Sequence, residues 1–198
     1  MGEGKYYLLR IELLDVEPKI WREFVVPYDI SLDRLHDVVQ IVMGWEQSHL
    51  YQFVIKKKKY SEFNEYIDDF EEVKDSRLVR LNQFISRKNQ KITYEYDFGD
   101  GWEHEITLIN SNYNSDYPYE LECIKGERAC PPEDVGGPYG FTHFLECISD
   151  EESQEREEML MWVGGEYDVD EFDLDYINFE LIKYYSYARL RALPWFEE

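Results

Sequence analysis

The chain is poor in bases and in cysteines, and it has no long apolar run. Against 43 acidic residues stand only 21 lysines and arginines, for a formal net charge of −22. A surface of that sign repels a phosphate backbone, which excludes direct nucleic-acid binding except through a local basic patch. Two stretches are basic, KKKK at 56–59 and the scattered Arg77, Arg80, Arg87, Lys88 and Lys91. Both read as solvated faces that partly offset the acidic ones. The three cysteines, Cys123, Cys130 and Cys147, form no C-x-x-C pair. That excludes a zinc finger or thioredoxin-type motif and reads as reduced thiols. No stretch of about 18 apolar residues occurs, so no membrane-spanning helix is expected. The start MGEGKYYLLRIELL lacks the basic segment and small-residue cleavage site of a signal peptide. Tyr6 stands where myristoylation needs Ser or Thr. The expected compartment is the cytoplasm. No Walker A loop, G-x-G-x-x-G, G-x-S-x-G or H-E-x-x-H occurs, which leaves no motif-level support for nucleotide binding or for the common hydrolases.

Aromatics, by contrast, are plentiful: 17 Tyr, 11 Phe and 5 Trp in 198 residues. With 43% hydrophobic residues the chain can bury a substantial core, and its length suits a single domain over 1–198. The charge is unevenly spread. Residues 1–60 carry nine acids and nine bases, so residues 61–198 carry the whole −22.

Residues 5–14 and 21–27 read as an opening hairpin. Ser31, Asp33 and Gly44 bound a helix as cap, first-turn acid and terminator. His36 falls on the apolar face of that helix and reads as a core histidine. Residues 49–60 read as one strand, 61–75 as an acidic connection, and Asn82 as the cap of a short helix through Arg87. Residues 91–98 and 102–110 alternate as a second hairpin. Residues 111–137 read as loop, and helical patterns follow to the end. The expected class is α+β: an antiparallel sheet built from hairpins, helices packed on it, and helices concentrated in the C-terminal third.

The second hairpin, YDFGDGWEHEI at 96–106, concentrates acids, a histidine and aromatics. A two-residue turn at Asp100-Gly101 sets Tyr96 and Phe98 opposite glutamates. A three-residue loop, Gly99-Asp100-Gly101, pairs Phe98 with Trp102 and Tyr96 with His104, and it leaves one face apolar. In that register Asp97 and the glutamates form an acidic outer face, whereas His104 lies among aromatics. The opposed acids call for an offset: solvent, the lysines at 56–59, a basic partner or a bound cation.

Two further stretches carry candidate chemistry. In MGWEQSHLYQF, Trp45 and His49 sit at a helix-to-strand junction, where histidines are better ligand candidates than on a helix face. In ERACPPEDVGGPYGF, two prolines stiffen a loop that delivers Glu133 and Asp134, and the Gly136-Gly137 amides open a helix that could receive an anion. The candidate ligand-binding residues are therefore Trp45, His49, Tyr96, Trp102, His104, Glu133 and Asp134. His49, His104, Glu133 and Asp134 have the donor types of a mixed divalent-metal site.

EPKIWREFVVP at 17–27, LDRLHDVVQIVMGWEQSHLYQF at 32–53, YEYDFGDGWEHEI at 94–106 and ERACPPEDVGGPYGF at 127–141 occur in this order. Together they resemble the plasmid pRiA4b ORF-3-like family. The resemblance implies an α+β domain, association with mobile DNA and no defined biochemical activity, although some members are labelled TnpR resolvases. A serine recombinase needs a nucleophilic serine near an N-terminal strand among arginines. Here the first serine is Ser31, a helix cap, so recombination is not expected.

Three functional readings follow. The first is a non-enzymatic interaction or ligand-binding module, with an aromatic and histidine pocket rimmed by Glu133 and Asp134. The second is a metal-binding protein or metal-dependent hydrolase using the same region. The third is an accessory protein of mobile DNA that binds a basic protein partner through its acidic surface.

Overall fold

A computed structural model describes residues 6–62, 73–114 and 117–191. Strand β1 (Tyr6–Leu13) pairs antiparallel with β2 (Trp21–Pro27), as alternation in the two segments predicts. Helix α1 (Leu32–Met43) follows. It starts at Ser31 and ends at Gly44, whose φ of 102° supplies the left-handed terminator that costs glycine nothing. The Ser31 side chain makes no capping hydrogen bond.

Residues 49–60 are a hairpin and not one strand. β3 (Tyr51–Ile55) and β4 (Lys58–Ser61) are joined at Lys56 and Lys57, both with positive φ, the backbone of a tight two-residue hairpin turn. The lysine run therefore forms a turn and an edge. β5 (Val73–Asp75) pairs parallel with β4, which makes the sheet mixed where an antiparallel one was expected. Most of the acidic connection at 61–75 lies outside the described residues. Two short 3₁₀ turns follow, Ser76–Leu78 and Leu81–Gln83. Asn82 lies inside the second and caps no helix.

β6 (Lys91–Tyr96) and β7 (Trp102–Tyr113) form the second hairpin, and β8 (Glu122–Glu127) emerges from the stretch expected to be loop. Three helices follow among the described residues: α2 (Gly137–Ser149), α3 (Arg156–Trp162) and α4 (Leu174–Arg191). Among the described residues, eight strands form one sheet in the order β5-β4-β3-β6-β7-β1-β2-β8. Helices are not confined to the C-terminal third, because α1 sits between β2 and β3 and builds the middle of the core. No helix of the described residues is long and apolar enough to cross a membrane.

The core lies between α1 and the central strands. Leu35, Val38, Val39 and Val42 of α1 are fully buried, as are Leu9, Ile11, Phe53, Tyr94, Ile106 and Leu108 of the sheet. The two polar side chains that α1 sends into this core, His36 and Gln40, are paired. His36 stacks on Tyr51 with ring centroids 3.6 Å apart, and its Nδ1 lies 2.7 Å from the Tyr94 hydroxyl. Gln40 Nε2 donates to the same hydroxyl at 2.9 Å. Burial lowers His36 to about 3, so the imidazole is neutral and Nδ1 accepts the tyrosine proton.

Arg22 is buried as well. Its guanidinium donates to the carbonyls of Val42, Trp21, Glu127 and Arg128, and so ties the end of α1 to β2 and the exit of β8.

Candidate functional site

The β6–β7 register differs from the expected one by two residues. Tyr96 pairs with Trp102 and Tyr94 with His104, so the connection is the five-residue stretch 97–101. A slip of two keeps the same side chains on the same face, and alternation cannot detect it. The consequences fall on the tip. Phe98, expected opposite Trp102, is half exposed. Glu95 stands opposite Glu103, offset by a Gln52 amide that donates to Glu95, while Lys91 pairs with Glu105 at 2.7 Å.

Asp97 is the residue most affected. Its φ of 52° breaks the strand alternation and turns the side chain inward, where it is buried. The acidic outer face expected for it is corrected accordingly. Its Oδ1 accepts from the Gly99 amide at 2.9 Å, which leaves Oδ2 directed at His49 Nε2, 3.7 Å away.

Two loops meet this tip. The first runs from the end of α1 to β3. It places Glu46, Ser48 and His49 beside the Tyr96 hydroxyl, to which the Ser48 amide donates at 3.0 Å. The second is the stretch at 128–137. Asp100 Oδ2 accepts from the Gly136 amide at 3.0 Å, so an internal carboxylate occupies the helix-start position expected to receive an anion. Gly137 packs so closely on the Asp100 carbonyl that a Cβ there would lie 2.2 Å from its oxygen. This docking carries Glu133 and Asp134 to His49.

His49 is ringed by three carboxylates as a result, and its donor atom, Asp97's and Asp134's all lie within 4.8 Å of one another. His49 Nε2 lies 3.2 Å from Asp134 Oδ1, 3.7 Å from Glu133 Oε2 and 3.7 Å from Asp97 Oδ2. Glu133 Oε1 is fully engaged, accepting from the Tyr96 hydroxyl at 2.9 Å and the Glu46 amide at 2.8 Å. Burial, and secondarily that bond to Glu133, push the Tyr96 phenol upward, so it stays a donor. The other oxygen, Glu133 Oε2, and His49 Nε2 are buried and have no hydrogen-bond partner. Uncompensated buried polar atoms are expensive, at about 1–3 kcal/mol each. Donors bound at about 2.1 Å to one cation stand roughly 3.0–3.5 Å apart, and the distances from His49 Nε2 to its three carboxylates, 3.2–3.7 Å, are close to that. Asp134 is mostly exposed and leaves one side of the cluster open to solvent.

Of the seven candidates, His49, Glu133 and Asp134 meet directly, and Tyr96 joins them through its hydroxyl. Trp45, Trp102 and His104 do not. They are buried with Tyr96 in a continuous aromatic cluster, with Trp45 ring centroids 5.2 Å from Tyr96, 5.5 Å from Trp102 and 6.2 Å from His104. These rings fill the core. Two surface clefts lie elsewhere, one near Arg34, Arg80 and Tyr184, the other near Pro18, Leu145 and Tyr167.

His104 Nδ1 faces the Tyr94 carbonyl at 3.3 Å, and Trp45 Nε1 approaches His104 Nε2 at 3.4 Å. That pattern sets the proton on Nδ1, and burial lowers the group to about 4. His104 is thus a neutral core residue and is not a partner of His49. Asp97 is the member that register reasoning missed. Its place at the hairpin tip was visible, but its left-handed backbone was not.

A family model described as plasmid pRiA4b ORF-3-like protein matches residues 5–176. An uncharacterized protein of Sinorhizobium fredii, y4hQ, is 39% identical over 160 residues, which cover 79% of this chain and 80% of that protein. A crystal structure of a protein of unknown function from Methanosarcina mazei, MM3350, superposes with a TM-score of 0.77. It is 30% identical, over 87% of this chain and 97% of that one.

Proposed function

The chain belongs to the plasmid pRiA4b ORF-3-like family, and we propose that it is a ligand-binding module whose ligand is a divalent cation held by His49, Asp97, Glu133 and Asp134. One observation carries this reading: His49 Nε2 and Glu133 Oε2 are buried, have no hydrogen-bond partner and lie 3.7 Å apart. A cation at their common point engages both and neutralises most of three clustered carboxylates. One imidazole with three carboxylates suits a first-row ion such as Mn²⁺ better than a thiolate-seeking one. Tyr96 and the Glu46 amide act by orienting Glu133, the role that neighbours of metal ligands ordinarily play.

The test is a Mn²⁺ titration of the full chain stripped of metal, read by electron paramagnetic resonance and by melting temperature. One equivalent should bind and raise the melting temperature, and His49→Ala should abolish both effects. Asp97→Asn separates a cation site from a merely structural cluster. It should stabilise the metal-free protein, by relieving carboxylate repulsion, and destabilise it relative to wild type when Mn²⁺ is present. No binding, or the same sign of effect in both states, rejects the proposal.

The exposed Asp134 side favours a second reading, in which open coordination positions take water and the protein is a metal-dependent hydrolase. Mn²⁺-dependent turnover of generic phosphate and carboxylate esters, lost in His49→Ala, distinguishes it from a binding module.

A further inference from the structure

A second cluster lies on the opposite kind of scaffold, a helix. His143 and Cys147 stand four residues apart on α2 and so share a face. After α2 the chain turns back and brings Glu155, the residue preceding α3, against them. Cys147 Sγ lies 3.6 Å from His143 Nε2 and 3.9 Å from Glu155 Oε2, and His143 Nε2 lies 3.3 Å from Glu155 Oε2. We propose that these three side chains form a Zn²⁺ site, distinct from the oxygen-rich cluster at His49 and independent of it.

Distances favour an ion at the centre. With Zn–S near 2.3 Å and Zn–N or Zn–O near 2.0–2.1 Å, tetrahedral donors stand about 3.5 Å apart for sulfur with nitrogen or oxygen, and about 3.3 Å for nitrogen with oxygen. Two observed edges match, 3.6 Å for sulfur with nitrogen and 3.3 Å for nitrogen with oxygen, and the sulfur–oxygen edge of 3.9 Å is longer by about 0.4 Å. The same geometry argues against a cysteine nucleophile. In a Cys–His–carboxylate relay the carboxylate holds the ring nitrogen remote from sulfur. Here Glu155 meets Nε2, and neither ring nitrogen is remote from the sulfur, which lies 3.6 Å from Nε2 and 3.7 Å from Nδ1.

Access and purpose are consistent with metal. Cys147 is the buried floor, whereas His143 and Glu155 are exposed, so an ion enters from solvent and a water completes its shell. α3 has seven residues and none of them is buried. A bridge from α2 to the start of α3 supplies the anchoring that apolar packing gives only weakly there. On binding, Cys147 releases its thiol proton to solvent and binds as thiolate; no redox change is involved.

Co²⁺ serves as the spectroscopic stand-in. Titrated into the reduced, metal-stripped full chain, it should produce a thiolate-to-cobalt charge-transfer band that saturates at one equivalent and is bleached by Zn²⁺. Cys147→Ser should remove the band, and Glu155→Gln should weaken Zn²⁺ binding by roughly tenfold or more. His49→Ala should leave the band unchanged, which keeps this site's outcome separate from that of the first. Absence of the band, or its persistence in Cys147→Ser, overturns the assignment. Should Cys147→Ser not fold, His143→Ala decides, because His143 is exposed: unchanged Zn²⁺ affinity in that variant overturns it equally.

Discussion

The four histidines have four different surroundings, and chemistry follows surroundings more than residue type. His36 and His104 are buried and neutral, each with its ring nitrogens assigned by partners. His49 faces three carboxylates and His143 faces a thiol and one carboxylate. The buried pair makes stability depend on pH. Their folded values of about 3 and about 4 lie below the ~6.5 of an unfolded histidine, so the unfolded chain takes up protons that the folded chain refuses. Their contribution is complete above pH ~6.5 and is lost as pH falls toward the folded values, at up to about 1.4 kcal/mol per pH unit for each histidine. Between pH ~6.5 and ~5.5, before most carboxylates titrate, urea unfolding should show this decline, and His104→Gln should reduce its slope by about half. An unchanged slope in that variant would mean that His104 is not the neutral, proton-refusing group described.

At the scale of elements, the site exists because a hairpin tip and a distant loop dock. Asp100 caps Gly136, and Gly137 admits the Asp100 carbonyl where any side chain would collide. Gly137 also has a φ of 69°, which an L residue adopts at a cost. Gly137→Ala should therefore destabilise the fold by about 1–3 kcal/mol. It should also weaken Mn²⁺ binding, because Glu133 and Asp134 ride on the displaced loop. Chemical denaturation and Mn²⁺ titration check the two effects separately. Elements also show where sequence reading stops. Helix α1 was legible from its periodicity and Gly44. The turn at Lys56-Lys57 was not, since two lysines are a rare choice for left-handed backbone. β8 was missed because its KGE segment has no clean alternation.

For the whole molecule, the charge of −22 is the dominant property. Self-repulsion on this scale opposes the compact state, and salt screens it over a Debye length of about 8–10 Å near physiological ionic strength. Raising a monovalent salt from ~10 mM to ~150 mM should raise the melting temperature by general screening. His49→Ala should respond to that salt as wild type does, while losing the further gain from Mn²⁺. A salt-independent melting temperature would mean that the acids are already neutralised within the fold.

The sequence by itself determined the α+β class, the helix α1, the paired faces of β6 and β7, the core placement of His36, and the acidic net charge. These follow from composition and from periods of two and 3.6 residues, which are local. Tertiary structure decided the rest. It chose between registers that differ by two residues, since both bury the same face. It turned Asp97 inward through a backbone angle, and it carried Glu133 and Asp134 to His49 across more than 80 positions of chain. It also separated His104 from that cluster. Which donors meet depends on where loops dock, and docking is settled by close packing and single hydrogen bonds that no local pattern encodes.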